Sequence, residues 1–268
     1  MKIQILDVSH GFCAYLIADN GNVMLFDCGH NERTGFRPST YLPNSGCTGI
    51  EYLIIHNFDQ DHVSDLSNLL EVLTVQVFYR NRSISADQLR SLKEESGFIT
   101  NAMESVLDLH ERYIHEVKSP PTFPNIEFEC FHNNYPEFED TNNLSLVAFV
   151  HYDGFGIVFP GDLEKEGWKK LLELESFRNH LGRVNIFIAS HHGRENGYCE
   201  EVFGFCRPEM IIISDKEITY EAQKQNYAKH AIGIPWEGGP DRRYVLTTRS
   251  DGMITITKEV GAGAHISI

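Results

Sequence analysis

A chain of 268 residues with 41% hydrophobic and 11% aromatic side chains holds ample material for a buried core, and its apolar runs meet a charge long before they could cross a bilayer. With 38 acidic against 23 basic residues the net charge is −15, a surface that repels phosphate backbones, so a nucleic-acid substrate would need a local basic path, a metal ion or a partner. Six cysteines without a CxxC pair, and a start lacking a signal-peptide apolar region, point to reduced thiols in a cytoplasmic protein with no membrane partner.

In chain order, short β-branched and aromatic runs predict strands at 2–8, 14–18, 22–27, 52–56 and 75–80, then at 126–132, 144–152, 155–162, 184–191, 210–215, 244–248 and 253–258. Helical spacing falls at 61–73, 85–98, 101–117, 164–177 and 199–205. Strands outnumber helices and helices lie between them, which predicts a layered α/β protein. No linker or low-complexity tract marks a boundary, so one domain over 1–268 is expected.

The strand ends carry the chemistry. "VMLFDCG" ends at Asp27 and "YLIIHNFDQDH" runs into Asn57, Asp59, Asp61 and His62; "GIVFPGD" ends at Asp162 and "NIFIASHHG" at His191 and His192. An apolar strand ending in an acid is thus followed twice by one ending in a His-bearing turn. Two similar halves packed face to face would bring the four ends to one edge, where carboxylates and imidazoles are the donors that hold Zn²⁺ or Mn²⁺. Read singly, such residues are ordinary polar turns, and Asp61 would serve equally as a helix cap. The ordered set of four favours the metal.

The order Asp27, N-x-D-x-D-H, "PGD" and "SHHG" resembles the metallo-β-lactamase superfamily, whose signature is H-x-H-x-D-H followed by a Gly-Asp and a later His. More narrowly, "LDVSHGFCAYLI", "DQDHVSDL", "TNNLSLVAFVHYDGFGIVFPGD" and "ASHHGREN" resemble the hydrolase domain of ComEC-type DNA-uptake channel proteins and their soluble relatives. The resemblance implies a four-layer αββα sandwich, here with a helical insertion at about 80–140, and a hydrolase using one or two divalent ions. It implies one site from Asp61, His62, Asp162 and the "SHHG" histidine, for which His191, nearer the strand end, is preferred and His192 is the alternative. A second site would use positions 57 and 59, a middle ligand in "TNNLSL" and Asp162. Asn57 offers only a neutral oxygen and "TNNLSL" has no His, so that site is expected to be weak, manganese-preferring or empty. A one-residue shift would instead put His56 in the first ligand position, the less favoured register. Asp27 is expected to orient the loop from below, and His10 to face the same edge as a substrate contact.

Asp61 and Asp162 are the candidate catalytic carboxylates, orienting a metal-activated water for hydrolysis. The expected activity is of a phosphodiesterase or nuclease kind. The alternatives are hydrolysis of a small ester, thioester or amide, which suits the acidic surface, and a non-catalytic or partner-activated module with a degenerate site. Across 81–117 the stripe Leu89, Leu92, Phe98, Ala102, Met103, Val106 and Leu107 is expected to pack on the sandwich, with a lid or protein-partner surface as the alternative. His10, His30 and His230 read as surface or satisfied polar residues before any function, Cys28 as a small buried one, and "PWEGGPDRR" as a surface hairpin or a phosphate contact.

Overall fold

The computed structural model describes residues 1–216, 223–236 and 240–268. Its strands are β1 (Lys2–Ile5), β2 (Ala14–Ile17), β3 (Val23–Phe26), β4 (Ile50–Ile54), β5 (Val75–Tyr79), β6 (Ile126–Phe131), β7 (Val147–Tyr152), β8 (Phe155–Phe159), β9 (Ile186–Ile188), β10 (Met210–Ile213), β11 (Ile234–Pro235), β12 (Arg242–Arg243), β13 (Val245–Thr247), β14 (Ile254–Thr257) and β15 (His265–Ser267). The helices are α1 (Pro38–Asn44), α2 (Gln60–Val63), α3 (Leu66–Val72), α4 (Ala86–Ser96), α5 (Asn101–Arg112), α6 (Lys165–Leu172), α7 (Glu175–Leu181), α8 (Lys224–Ala228) and α9 (Thr248–Asp251). One sheet runs β15-β14-β1-β2-β3-β4-β5 and the other β13-β10-β9-β8-β7-β6.

Strand alternation explains how the sheets stack. Leu16, Phe26 and Ile54 face Val150, Ile157 and Ile188 across the sheet–sheet core, whereas their neighbours Tyr15, Leu25 and Leu53 turn outward beneath α3 and α5. On the far side Phe149, Val158 and Phe187 meet Trp168 of α6 and Phe177 of α7. Each fully buried side chain of this size contributes roughly 1.5–3 kcal/mol. The order helix, sheet, sheet, helix is the αββα sandwich expected, with α4 and α5 as added helices. Residues 126–131 of the anticipated insertion form β6 of the second sheet.

Tertiary bonds break one expected helix. The predicted helix 61–73 divides into α2 and α3 because the Cys28 amide donates to the His62 carbonyl and the Asp65 amide to the Cys28 carbonyl, pulling the chain onto the end of β3. Asp65 then accepts from Arg37 and from the Ser39 amide. In the 81–117 stripe Leu89, Ala102, Val106 and Leu107 are buried, but Phe98, in the turn after Gly97, is 82% exposed. Cys28 is buried and reduced. His30 pairs with Ser64, and His230 stacks on Phe203. The ends of "PWEGGPDRR" pair as β11 and β12, with 237–239 outside the described residues.

The topology sets the site. β3, β4 and β5 are mutually parallel, as are β8, β9, β10 and β13. Their carboxyl ends share one edge, the position at which parallel sheets present ligand-binding turns. A bond from the Leu146 amide to the His56 carbonyl (2.9 Å) ties the two sheets together there.

Candidate metal centre

Asp61, His62, Asp162 and His192 form the cluster, each with one ligand-capable atom within 4.8 Å of the others. Asp162 Oδ1 lies 3.0 Å from His62 Nε2 and 3.5 Å from His192 Nε2, and Asp61 Oδ2 lies 3.2 Å from His192 Nε2. The far nitrogens are committed. His62 Nδ1 donates to Asp27 Oδ2 at 2.7 Å, and His192 Nδ1 to the Ser214 carbonyl at 3.0 Å. His62 Nε2, His192 Nε2 and Asp162 Oδ1 are buried without a hydrogen bond, so three donor atoms converge on one point with their other contacts already fixed. That is how ligating imidazoles are oriented around a metal, and the residues fit a divalent cation.

The local field favours positive charge at the same point. Burial alone would lower His62, but Asp162 and Asp27 outweigh it and hold it well above the usual imidazole range; Asp162 and Asp61 likewise raise His192 to about 9. Burial alone would raise Asp162, Asp61 and Asp27, yet the neighbouring imidazoles hold all three below the ordinary carboxylate range.

Backbone constraints place these groups. Gly11 (φ +118°) and Gly29 both press on the Asp61 carbonyl oxygen, where a Cβ would collide. His191 (φ 48°) and His192 (φ 54°) both adopt the left-handed conformation, strain found where the surroundings over-determine a turn. The turn sends His192 into the cluster. His191 instead accepts from Arg194 Nη1 at its Nε2 (3.2 Å), which also lies 3.7 Å from Asp162 Oδ2, and has its Nδ1 3.4 Å from Glu164, so the histidine preferred from the sequence borders the cluster and His192 enters it.

Asn57 and Asp59, expected in a separate second ligand set, lie outside this cluster and are bonded to other side chains. Asn57 Nδ2 donates to Asn142 Oδ1 at 2.9 Å. Asp59 is ion-paired with Lys93, and Thr141 Oγ1 donates to it at 3.1 Å. His56 lies beneath, its amide and Nδ1 donating to Asp27 at 2.7 and 3.0 Å and its ring stacked on Phe26, so the shifted register is not adopted. Asp27 is buried under the loop and accepts from both His56 and His62. Asp27→Asn is expected to weaken metal affinity about 10–100-fold with unchanged stoichiometry, read by calorimetric titration. Equal affinity would show that this carboxylate does not orient His62.

A cavity of about 390 Å³ opens onto the cluster, lined by Ser9, His10, His30, Glu32, Asp59, Gln60, Asp61, Ser64, Asp162, His191, Arg194 and Lys216. Behind the ligands Phe12, Phe159 and Ile188 form an apolar wall. His10 faces this edge as expected. Its Nε2 accepts from Arg194 Nη2 (2.7 Å), and burial together with His192 lowers its pKa to about 3. Sequence reasoning missed Lys93, Thr141, Arg194 and Lys216. Arg194, directly after "SHHG", was within reach of a motif reading; Lys93 lies 31 positions past His62 with no local signal.

No family model matches the chain. It is 26% identical over 180 residues to ComE operon protein 3 of Bacillus subtilis, a match covering 65% of this chain and 21% of that protein. It is 25% identical over 218 residues to Recombination protein 2 of Haemophilus influenzae, covering 80% and 24%. These are the ComEC-type relatives that the motifs anticipate, and the chain spans less than a quarter of their length. Among solved structures it is similar to a Thermotoga maritima protein described as a zinc-dependent hydrolase of the metallo-β-lactamase superfamily (TM-score 0.46, 10% identity, 91% of this chain and 98% of that one). It is also similar to human tRNase Z, short form (TM-score 0.39, 14% identity, 83% and 98%).

Proposed function

We propose that this chain is a metal-dependent hydrolase of phosphodiester-type substrates, holding a divalent cation, zinc or manganese, through Asp61, His62, Asp162 and His192. The observation that carries this reading is the convergence of three buried donor atoms, His62 Nε2, His192 Nε2 and Asp162 Oδ1, that satisfy no hydrogen bond. Two imidazoles and two carboxylates form a mixed nitrogen and oxygen set that suits either ion. A cation bound there lowers the pKa of a water toward neutrality and polarises the bond under attack.

The chain's own residues do the rest. Asp61 is 26% exposed at its side chain while the other three are 1–4%, so it faces the cavity, where its carboxylate can orient the attacking water. Arg194 and Lys216 line the same cavity, beside the carboxylates Glu32, Asp59, Asp61 and Asp162, and are the side chains there that offer positive charge to anionic oxygens. The apolar wall behind the ligands excludes water from that side. The name of one relative, Recombination protein 2, agrees with a substrate carrying a phosphodiester backbone.

The test is turnover of bis(p-nitrophenyl) phosphate, a short single-stranded DNA and p-nitrophenyl acetate, before chelation, after it, and with Zn²⁺ or Mn²⁺ restored. Cleavage of the phosphodiesters that disappears with chelator and returns with the ion is expected. Turnover of the acetate alone would replace this reading with a small-ester hydrolase. A wild-type chain that binds neither ion would leave a binding scaffold.

A further inference from the structure

Lys93 is a lysine with 7% exposure at the edge of a metal centre, reached from the added helix α4. The helix is well anchored: Ser85 and Gln88 cap its start reciprocally, and Leu89, one turn before Lys93 and therefore on the same face, is buried. That register drives the Lys93 side chain inward. Its ammonium meets the Asp59 carboxylate and donates to Thr141 Oγ1 at 3.1 Å. Thr141 and Asn142 belong to "TNNLSL", the stretch in which the middle ligand of a second cation was expected. Lys93 therefore lies within the donor set anticipated for that ion: Asp59, the 141–142 turn and Asp162.

The remaining donors are poor ones. Asn57 and Asn142 are neutral amides hydrogen-bonded to each other, which leaves Asp59 as the one full negative charge not shared with the Asp61, His62, Asp162 and His192 cluster. A dication there would face Asp59, an Asp162 already shared with the first cluster, neutral amides of which Asn142 is bonded to Glu164, and an ammonium. One ammonium against one carboxylate balances the charge with hydrogen bonds already made, as a buried charge requires.

We propose that the Lys93 ammonium takes the place of the second cation and keeps it out, so that the chain works with one divalent ion and an internal cation supplied by its helical insertion. This deepens the hydrolase reading and rests on it. It also accounts for an Asn at position 57, since an imidazole is not needed where an ammonium fills the site.

Metal content by elemental mass spectrometry and calorimetric titration with Mn²⁺ tests it, on the wild type, Lys93→Ala, Lys93→Gln and Lys93→Arg, each checked for folding by thermal melt. The wild type and Lys93→Arg are expected to bind one ion at any Mn²⁺ excess. Lys93→Ala and Lys93→Gln are expected to bind two, the second more weakly, as Asp59, Asn57 and Asp162 become available to a hard ion. Lys93→Gln still reads the effect if the Ala variant does not fold. Two ions in the wild type, or one ion in a folded neutral variant, would overturn the role of Lys93 and leave the hydrolase reading standing. No ion in the wild type would overturn the hydrolase reading itself.

Discussion

Asp162→Ala is expected to lose its bound cation and its turnover together, by roughly a thousandfold in kcat/KM, since several kcal/mol of charge stabilisation depends on that ion. The geometry leaves no substitute. Asp162 Oδ1 is the atom between the two imidazoles, at 3.0 and 3.5 Å, and the carboxylate is 4% exposed. Its position is enforced from both sides. Its amide donates to Ser145 Oγ at 3.1 Å, and Gly161 before it takes φ +61°, with room for a Cβ only at 2.8 Å from His56 Cβ. Asp61 is fastened through its backbone by Gly11 and Gly29, so it does not move across to compensate. The independent reading is thermal. Saturating Zn²⁺ at about a thousand times its Kd raises wild-type stability by about 4 kcal/mol, and the variant's melting point is expected to stay unchanged on adding the ion. A variant that keeps full metal stoichiometry would remove Asp162 from the centre.

His192→Ala is expected to abolish metal binding, whereas His191→Ala keeps the full complement of metal and loses at most about tenfold in turnover. The separation follows from which nitrogens are committed. His192 presents an unbonded Nε2 to Asp61 and Asp162 with its Nδ1 tied to the Ser214 carbonyl. His191 has its Nε2 occupied by Arg194, so its loss affects the orientation of that guanidinium over the cavity and through it the binding of an anionic substrate. Elemental analysis of the two variants distinguishes them directly. Metal lost from the His191 variant and kept by the His192 variant would reverse the assignment.

All twelve strand stretches chosen from the sequence become strands, because short β-branched and aromatic runs are specified by their own residues. β15 was missed, since "HIS" at 265–267 owes its strand to pairing with β14 and has no apolar run of its own, whereas the β11–β12 pair falls in the expected "PWEGGPDRR" hairpin. The chemistry of the centre was legible too, as acids and histidines at the ends of apolar strands in a fixed order. Which histidine of "SHHG" turns into the cluster was not. Strand alternation favoured the residue nearer β9, but both histidines lie beyond the strand in left-handed turns, where a period of two no longer applies.

The residues alone indicated the layers, the edge on which polar groups gather and a donor chemistry that suits a divalent ion, because burial, alternation and ligand chemistry are properties of short segments. The occupancy of the second ligand set was decided in three dimensions. Asn57 and Asp59 are adjacent in sequence to good ligands, yet their partners are Asn142 and Lys93, far along the chain. A charge balance inside a buried site depends on which long side chain the packing of a distant helix delivers there. That delivery is set by the register of α4 against the sandwich.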